Sequence, residues 1–503
     1  METGRRFGRR LLVATLVGTG ALGSPAFAET DVEKLNRTVE LLLRRVEQLE
    51  ASNKRLEAEL QKTEAATSPR AAPQATAPKD AAVSAQVKEL SERVEDVEGE
   101  VTALKQPSKL QEALEGITVG ASLAMVGQSA VRGDVSQDSK SQLNYRADVE
   151  VDIPLDTIGK LAGVGDSRLF FHIRAGQGEG LQFVSPTLTA TPNSTAFFLT
   201  NSDDAATIIG QAWYQFNYPL TETRAGALPS LQGTFGKIDL FGFFDQNEIA
   251  DSETEAFLNN VFVHNPLLDS GGAIGGDSYG FQPGLIAAYT NDINSVNRWK
   301  ASLGVFASGS GASFDSSFSK PFIIGQLEYG GRVLLDRPGN YRLYVWTNGS
   351  FVPYNDEAIT TTERQTGFGL SVDQQVGRHL TLFARYGHSF AGQVRFDNAI
   401  TVGGQLGGYA WGRQDDRIGL AYGWLNTSKD FRAAAPTLDT DGDGVPDFGY
   451  SPTGAETDIE LYYAWQINKN LQLSPNLQWI LQPGGDPSAP NIWAVGLRAV
   501  AGF

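Results

Sequence analysis

Along this chain the spacing of apolar residues changes once, near residue 117. Ahead of that point Val32, Leu35, Val39, Leu42, Val46, Leu49, Asn53, Leu56 and Leu60 recur at alternating intervals of three and four. That interval is the seam of a coiled coil, with Val mostly at a and Leu at d, and Asn53 at an a position fixes register at some cost in stability. A second heptad runs through Val83, Val87, Leu90, Val94, Val97, Val101 and Leu104 until Pro107 ends it. Between the two lies an Ala/Pro-rich stretch that cannot continue a helix. Beyond residue 117 the interval falls to two. Leu471, Leu473, Leu477 and Trp479 alternate with Gln472, Ser474, Asn476 and Gln478, and Ile418, Leu420, Tyr422 and Trp424 oppose small residues and Arg417. Trp493, Val495, Leu497, Ala499, Ala501 and Phe503 share a face opposite Arg498. A period of two predicts strands with one apolar face.

A soluble sandwich alternates too, so three further features decide the class. Tyr422, Trp424, Tyr463 and Trp465 sit near strand ends, where an interfacial girdle places amphipathic rings. Brief connections such as 336–340 and 466–470 alternate with long polar ones such as 426–457, and the chain ends on an aromatic residue, Phe503. Together these predict an all-β transmembrane barrel preceded by an α-helical coiled coil. At roughly 20 to 26 residues per strand and connection, the span 117–503 gives about 14 to 18 antiparallel strands, and the preference for even counts selects about 16. Side chains cannot fill a barrel of that size, so a water channel follows.

Composition narrows the compartment. Arg5, Arg6, Arg9 and Arg10 precede the apolar run LLVATLVGTGALG, and Ala26-Phe27-Ala28 closes it with small residues. This is the pattern of a signal peptide cleaved after Ala28, the apolar run being too short to span a bilayer. The predicted organisation is therefore signal peptide 1–28, coiled coil 29–63, linker 64–82, second coiled-coil segment 83–106 and barrel 117–503. Loss of the signal takes four Arg and one Glu, moving the formal charge from −17 to −20, which excludes a nucleic-acid partner. The chain has no cysteine, so thiol chemistry and Cys-ligated metals are excluded. Only four histidines are present and none lies in a nucleophile motif, which argues against an enzyme.

The stretch FGKIDLFGFFDQNEIADSETEAFLNN, residues 235–260, turns abruptly from strand pattern to carboxylates and amides. Its Gly236, Lys237, Asp239, Phe244, Asp245, Asn247, Asp251, Glu253, Phe257, Leu258 and Asn259 resemble a segment of the carbohydrate-selective porin (OprB) family. QAWYQF (211–216), GRQDDRIGLAYGW (412–424), ETDIELYYAWQINKNLQLSPNLQWI (456–480) and the Pro-Gly-Gly at 483–485 extend that resemblance. The heptads in front of the barrel are more similar to those of cyanobacterial-type outer-membrane porins. The resemblance implies passive diffusion of sugars, inorganic ions or both across a bacterial outer membrane, with a homotrimeric assembly, a periplasmic coiled coil and outer-membrane lipid as surroundings. It also implies that the assembly machinery recognises Phe503. The Val/Leu heptads taken alone lean toward a dimer. A tether from outer membrane to peptidoglycan or cell wall through the coiled coil is the alternative function.

Candidate pore-lining residues come from the polar phase of the strands and from the acidic stretch: Arg174, Arg385, Asp245, Asn247, Asp251 and Glu253. In RLFFHIRAG the outward set is Leu169, Phe171 and Ile173. In HLTLFARYG it is Leu380, Leu382, Ala384 and Tyr386. Arg174 and Arg385 opposite the carboxylates set up a transverse field across the pore, or else pair in ordinary lumen salt bridges. The acidic balance predicts a mild cation preference. Tyr344 and Trp346 fit either a sugar track or the girdle, the girdle being favoured. No cofactor is required. Calcium is left open by DTDGDGVPD, whose Asp439, Asp441, Asp443 and Asp447 occupy positions 1, 3, 5 and 9 of an EF-hand-like loop with Gly444 at 6. Tyr450 stands at the twelfth position, where such loops carry a bidentate Glu.

Overall fold

The computed structural model describes residues 116 to 502, apart from short stretches inside the connections. The expected signal peptide, both coiled-coil segments, the linker and Phe503 lie outside the described residues.

Sixteen strands form one closed antiparallel barrel in which each strand pairs with its neighbours in sequence. They are β1 (Thr118–Arg132), β2 (Ser141–Pro154), β3 (Ser167–Gln177), β4 (Ala206–Pro219), β5 (Ser230–Asp239), β6 (Phe281–Asn291), β7 (Arg298–Phe306) and β8 (Phe322–Gly331). The second half comprises β9 (Gly339–Phe351), β10 (Glu363–Gln375), β11 (Leu380–Ala391), β12 (Phe396–Gly407), β13 (Arg417–Thr427), β14 (Ala455–Asn468), β15 (Leu471–Leu481) and β16 (Ile492–Gly502). Pairing of β1 with β16, with Met125 opposite Ala499, closes the barrel and removes the last free edge. Among the described residues no helix is long and apolar enough to cross a membrane. A closed barrel crosses one with strands instead, because every backbone polar group is paired within it.

The up-and-down order puts all odd-to-even connections on one rim, including 178–205, 240–280 and 428–454. The even-to-odd turns share the other rim, and the turn after β14 is only Lys469 and Asn470. Outside, large apolar side chains such as Leu143, Leu285, Leu303, Leu327, Val345 and Leu420 are exposed around the wall. Inside, the strands present buried polar side chains such as Asn144, Gln215, Gln326, Ser371, Thr401 and Gln478. This inversion is what hydrocarbon outside and polar contents inside demand. The strand phases expected for β3, β11 and β15 match: Phe171 and Ile173 are exposed while His172 is buried, and Leu382 is exposed while Phe383 and Arg385 are buried. Ring pairs mark both rims. Tyr289–Trp299 and Trp411–Tyr463 lie at the short-turn rim, and Trp479–Trp493 stack at 5.0 Å near the long-loop rim.

The main apolar core is inside the barrel, not between layers. It joins Phe244, Ile249, Phe257, Val261, Phe262 and Leu268 of the connection after β5 to Phe383, Tyr462 and other wall residues. Two glycines make the close approach possible. A Cβ at Gly387 would stand 2.5 Å from Asn265 Oδ1, and one at Gly423 would stand 2.5 Å from Val261 Cγ1.

Candidate functional site

Strand β5 ends at Asp239, whose carboxylate accepts from the Phe241 N–H at 3.0 Å and turns the chain into the lumen. Asp245 then adopts φ 54°, a left-handed conformation that Asp tolerates better than most residues. Its side chain is the first anchor. Arg385 Nε donates to Asp245 Oδ1 at 3.0 Å, Tyr344 Oη donates to the same oxygen at 2.8 Å, and the Asn265 N–H donates to Oδ2 at 2.6 Å. The other guanidinium nitrogens of Arg385 reach the carbonyls of Asp245 and Phe262, both at 3.0 Å. Both side chains of this ion pair are 0% exposed. Asn247, also buried, donates to Ser371 Oγ and the Val372 carbonyl, each at 3.3 Å.

Glu460 of β14 supplies the second anchor: its carboxylate accepts the N–H groups of Leu258 at 2.7 Å and Asn259 at 2.9 Å. Asn259 caps the single helical turn Asn260–Val263 through the Val261 N–H and also donates to Asp458 at 3.0 Å. Arg498 of β16 donates to the carbonyls of Glu253 and Ala256 at 2.8 and 2.9 Å. On the far wall, Arg146 of β2 bonds to the Glu253 carboxylate and, at 2.8 Å, to Asp148. Asp148 also holds His172 at 2.7 Å and Arg174 at 3.0 Å. The loop is thus strapped from β11 across the bore to β2 and back to β14. The connection after β3 folds inward as well. Its Pro192 carbonyl accepts from Gln478 at 2.7 Å, the Ser194 N–H donates to the Leu258 carbonyl at 2.9 Å, and the Asn260 N–H donates to Thr191 at 3.0 Å.

Two water-accessible cavities flank the strap. One, of about 280 Å³, lies toward the long-loop rim between Arg146, Arg174, Glu253, His264, Phe197 and Tyr279. The other, of about 590 Å³, lies toward the short turns between Glu248, Arg298, Glu328 and Arg342. Asp251 is the residue common to both linings. Its side chain is 28% exposed, and Oδ1 is buried with no hydrogen bond, 3.8 Å from His264 Nε2 and 3.9 Å from Arg385 Nη2. Burial pushes the Asp251 carboxyl up to about 8 despite the neighbouring His264 and Arg385. Burial acts the same way on Glu253, but Arg146 and Arg174 outweigh it and hold that carboxyl down at about 2. For His264, burial is outweighed by its bond to Asp269 and by the surrounding carboxylates, which lift it to about 9.

Of the residues expected at the pore, Arg174, Asp251 and Glu253 face the upper cavity together. Asn247 touches the lower one. Asp245 and Arg385 do not reach water and act as the loop's anchor. Tyr344 and Trp346 belong neither to the girdle nor to an open track. They are 1% and 2% exposed, bonded to Asp245 and to Gln365, because the inward loop covers the wall at that point. The sequence reading did not single out Arg146, Asp148, Glu456 or Glu460. The signal was present in ETDIELYY, where Glu456, Asp458 and Glu460 recur at the strand period on the lumen face. In the Asp-rich loop the carboxylates of Asp439, Asp441 and Asp447 lie within 4.8 Å of one another. Asp443 accepts from the Val445 N–H at 2.7 Å. Tyr450 turns away to the Gly484 carbonyl at 3.3 Å.

The profile of the carbohydrate-selective porin, OprB family matches residues 143–503. No curated protein matches the chain. Among solved structures, the high-pH structure of Pseudomonas putida OprB is similar in fold at 19% identity and a TM-score of 0.63, covering 78% of this chain and 96% of that one. The outer-membrane channel DcaP of Acinetobacter baumannii is matched at 12% identity and a TM-score of 0.43, over 77% of this chain and 97% of that one. With a closed sixteen-stranded barrel, an apolar outer band and a loop strapped across the bore, the chain belongs to the carbohydrate-selective porin family and is an outer-membrane channel for small hydrophilic solutes.

Proposed function

We propose that this channel passes small neutral polyols and sugars through the gap between the strapped loop and the wall of β2 and β3. The carrying observation is the lining of the upper cavity, where Arg146, Arg174, Glu253 and Asp251 stand with the part-exposed ring of Tyr279, backed by the buried rings of Phe197 and Phe241. Rings that cover the apolar face of a pyranose, beside charged groups that exchange hydrogen bonds with its hydroxyls, suit a sugar better than a bare ion. Liposome-swelling rates test this. Monosaccharides are expected to enter proteoliposomes much faster than trisaccharides, and equal exclusion of both overturns it. A mild cation preference, expected from the acidic balance of the chain, is tested by reversal potentials in a salt gradient.

Heptads at 29–63 and 83–106 support a periplasmic coiled coil, while the likeness to the porin family, rather than the heptads, supports its joining three barrels and Phe503 being read by the assembly machinery. Cross-linking of the full-length protein in membranes, compared with a variant lacking 29–106, is expected to show trimers that weaken on deletion. Tethering to the cell wall as the sole role draws no support from the barrel, since an anchor has no need of a strapped interior loop.

A further inference from the structure

The two cavities share one lining side chain, Asp251, and the point where it stands between them is the neck of the bore. Asp251 lines both compartments, so a solute moving from one to the other passes its side chain. The groups that face it are already committed elsewhere. Arg385 of β11 is spent on Asp245 and two carbonyls, and His264 is held by Asp269 at 2.8 Å through its other ring nitrogen. Asp251 Oδ1 consequently has no hydrogen bond, while the side chain keeps contact with water. Across the upper cavity stand Asp239, Glu253, Asp269, Arg146 and Arg174, and across the lower one Glu248, Glu328, Arg298, Arg332 and Arg342. Arg146 and Arg174 are neutralised by Asp148 and Glu253, and Arg342 by Asp373 at 2.9 Å. Asp239 faces the upper cavity alone and Glu248, Arg298 and Arg332 the lower one alone, whereas Asp251, with His264 beside it, stands between the two.

We propose that Asp251 is the specificity-determining residue of the channel, and that loss of its proton converts the neck from one serving neutral hydroxyl-bearing solutes to one favouring cations. The inference rests on the channel function and on the position of the neck. As a protonated acid, Asp251 both donates to and accepts from a hydroxyl, which is the pairing a neutral polyol offers. As a carboxylate it offers acceptors only, and its charge attracts small cations in a site with little screening. The carboxyl sits at about 8 and the imidazole of His264 at about 9, so both steps take the neck toward negative charge as pH rises.

The experiment is the reversal potential of the purified full-length protein in planar bilayers under a potassium chloride gradient, at about pH 6 and about pH 10, on either side of both transitions. For the unaltered protein the cation-to-anion permeability ratio is expected to rise at least about twofold between these conditions. Asp251→Asn is expected to remove most of that rise, Asp251→Glu to retain it, and His264→Gln to retain the part that belongs to Asp251. An Asp251→Asn channel that titrates like the unaltered protein overturns the proposal, as does an unaltered channel whose ratio does not move. Absence of channel steps in every variant sinks the channel function itself, which separates the two failures.

Discussion

Residues 245–255 and 439–447 are both acidic loops that leave the same rim of the barrel, yet they are built in opposite ways. In the first, backbone and carboxylates are bound by residues far away in sequence: Asp245 by Tyr344 and Arg385, Glu253 by Arg146, and the following Leu258 and Asn259 by Glu460. In the second, the carboxylates bind their own loop, with Asp439 accepting from Gly442 and Gly444 and Asp447 accepting from Thr440. The first is folded into the bore and shapes it; the second remains at the surface, over a small cluster around Phe431. Acidic composition alone does not separate these roles. What separates them is whether the facing wall offers cations and amides with which to pair.

Breaking the long-range pairs should therefore matter far more than breaking the local ones. Arg385→Ala leaves Asp245 buried without its cation, and thermal unfolding in detergent should register a loss of about 3 to 5 kcal/mol. The freed loop should also enlarge the single-channel conductance and make it noisier. Glu460→Gln keeps the shape but replaces a carboxyl that accepts two backbone N–H groups by an amide with one acceptor oxygen, and a loss of about 1 to 3 kcal/mol is expected with a smaller rise in conductance. Tyr344→Phe removes one hydroxyl from Asp245 and should cost about 1 kcal/mol. A girdle tyrosine at that position would show instead a change in membrane partitioning and none in loop order. Asp441→Ala, in the outer loop, should change stability by less than about 0.5 kcal/mol and leave conductance unchanged. With Tyr450 in place of the bidentate ligand, calcium should produce no thermal shift below about 1 mM.

The strand faces were legible because the side-chain period of two reports directly on which solvent each side meets. Leu471 to Trp479 and Leu169 to Ile173 read correctly for that reason. The same argument misplaced Tyr344 and Trp346, because a wall covered by an inward loop is apolar on both faces. Asp245 and Arg385 were picked out as chemically interesting, but their pairing spans a long stretch of chain and no local pattern encodes it. The family resemblance located the loop, while only the structure shows that FDQN and FLNN are two ends of a strap. Glu456, Asp458 and Glu460 were open to detection as carboxylates at strand spacing facing a lumen. Nothing in the sequence said that backbone N–H groups from several loops would meet them.

Single-channel conductance of the purified protein, recorded side by side with Glu460→Gln, tests the central claim most directly. Discrete steps for both proteins, larger in the variant, are predicted for a channel whose bore is set by a strapped loop. No steps in the unaltered protein, or steps of identical size in the two, would contradict it.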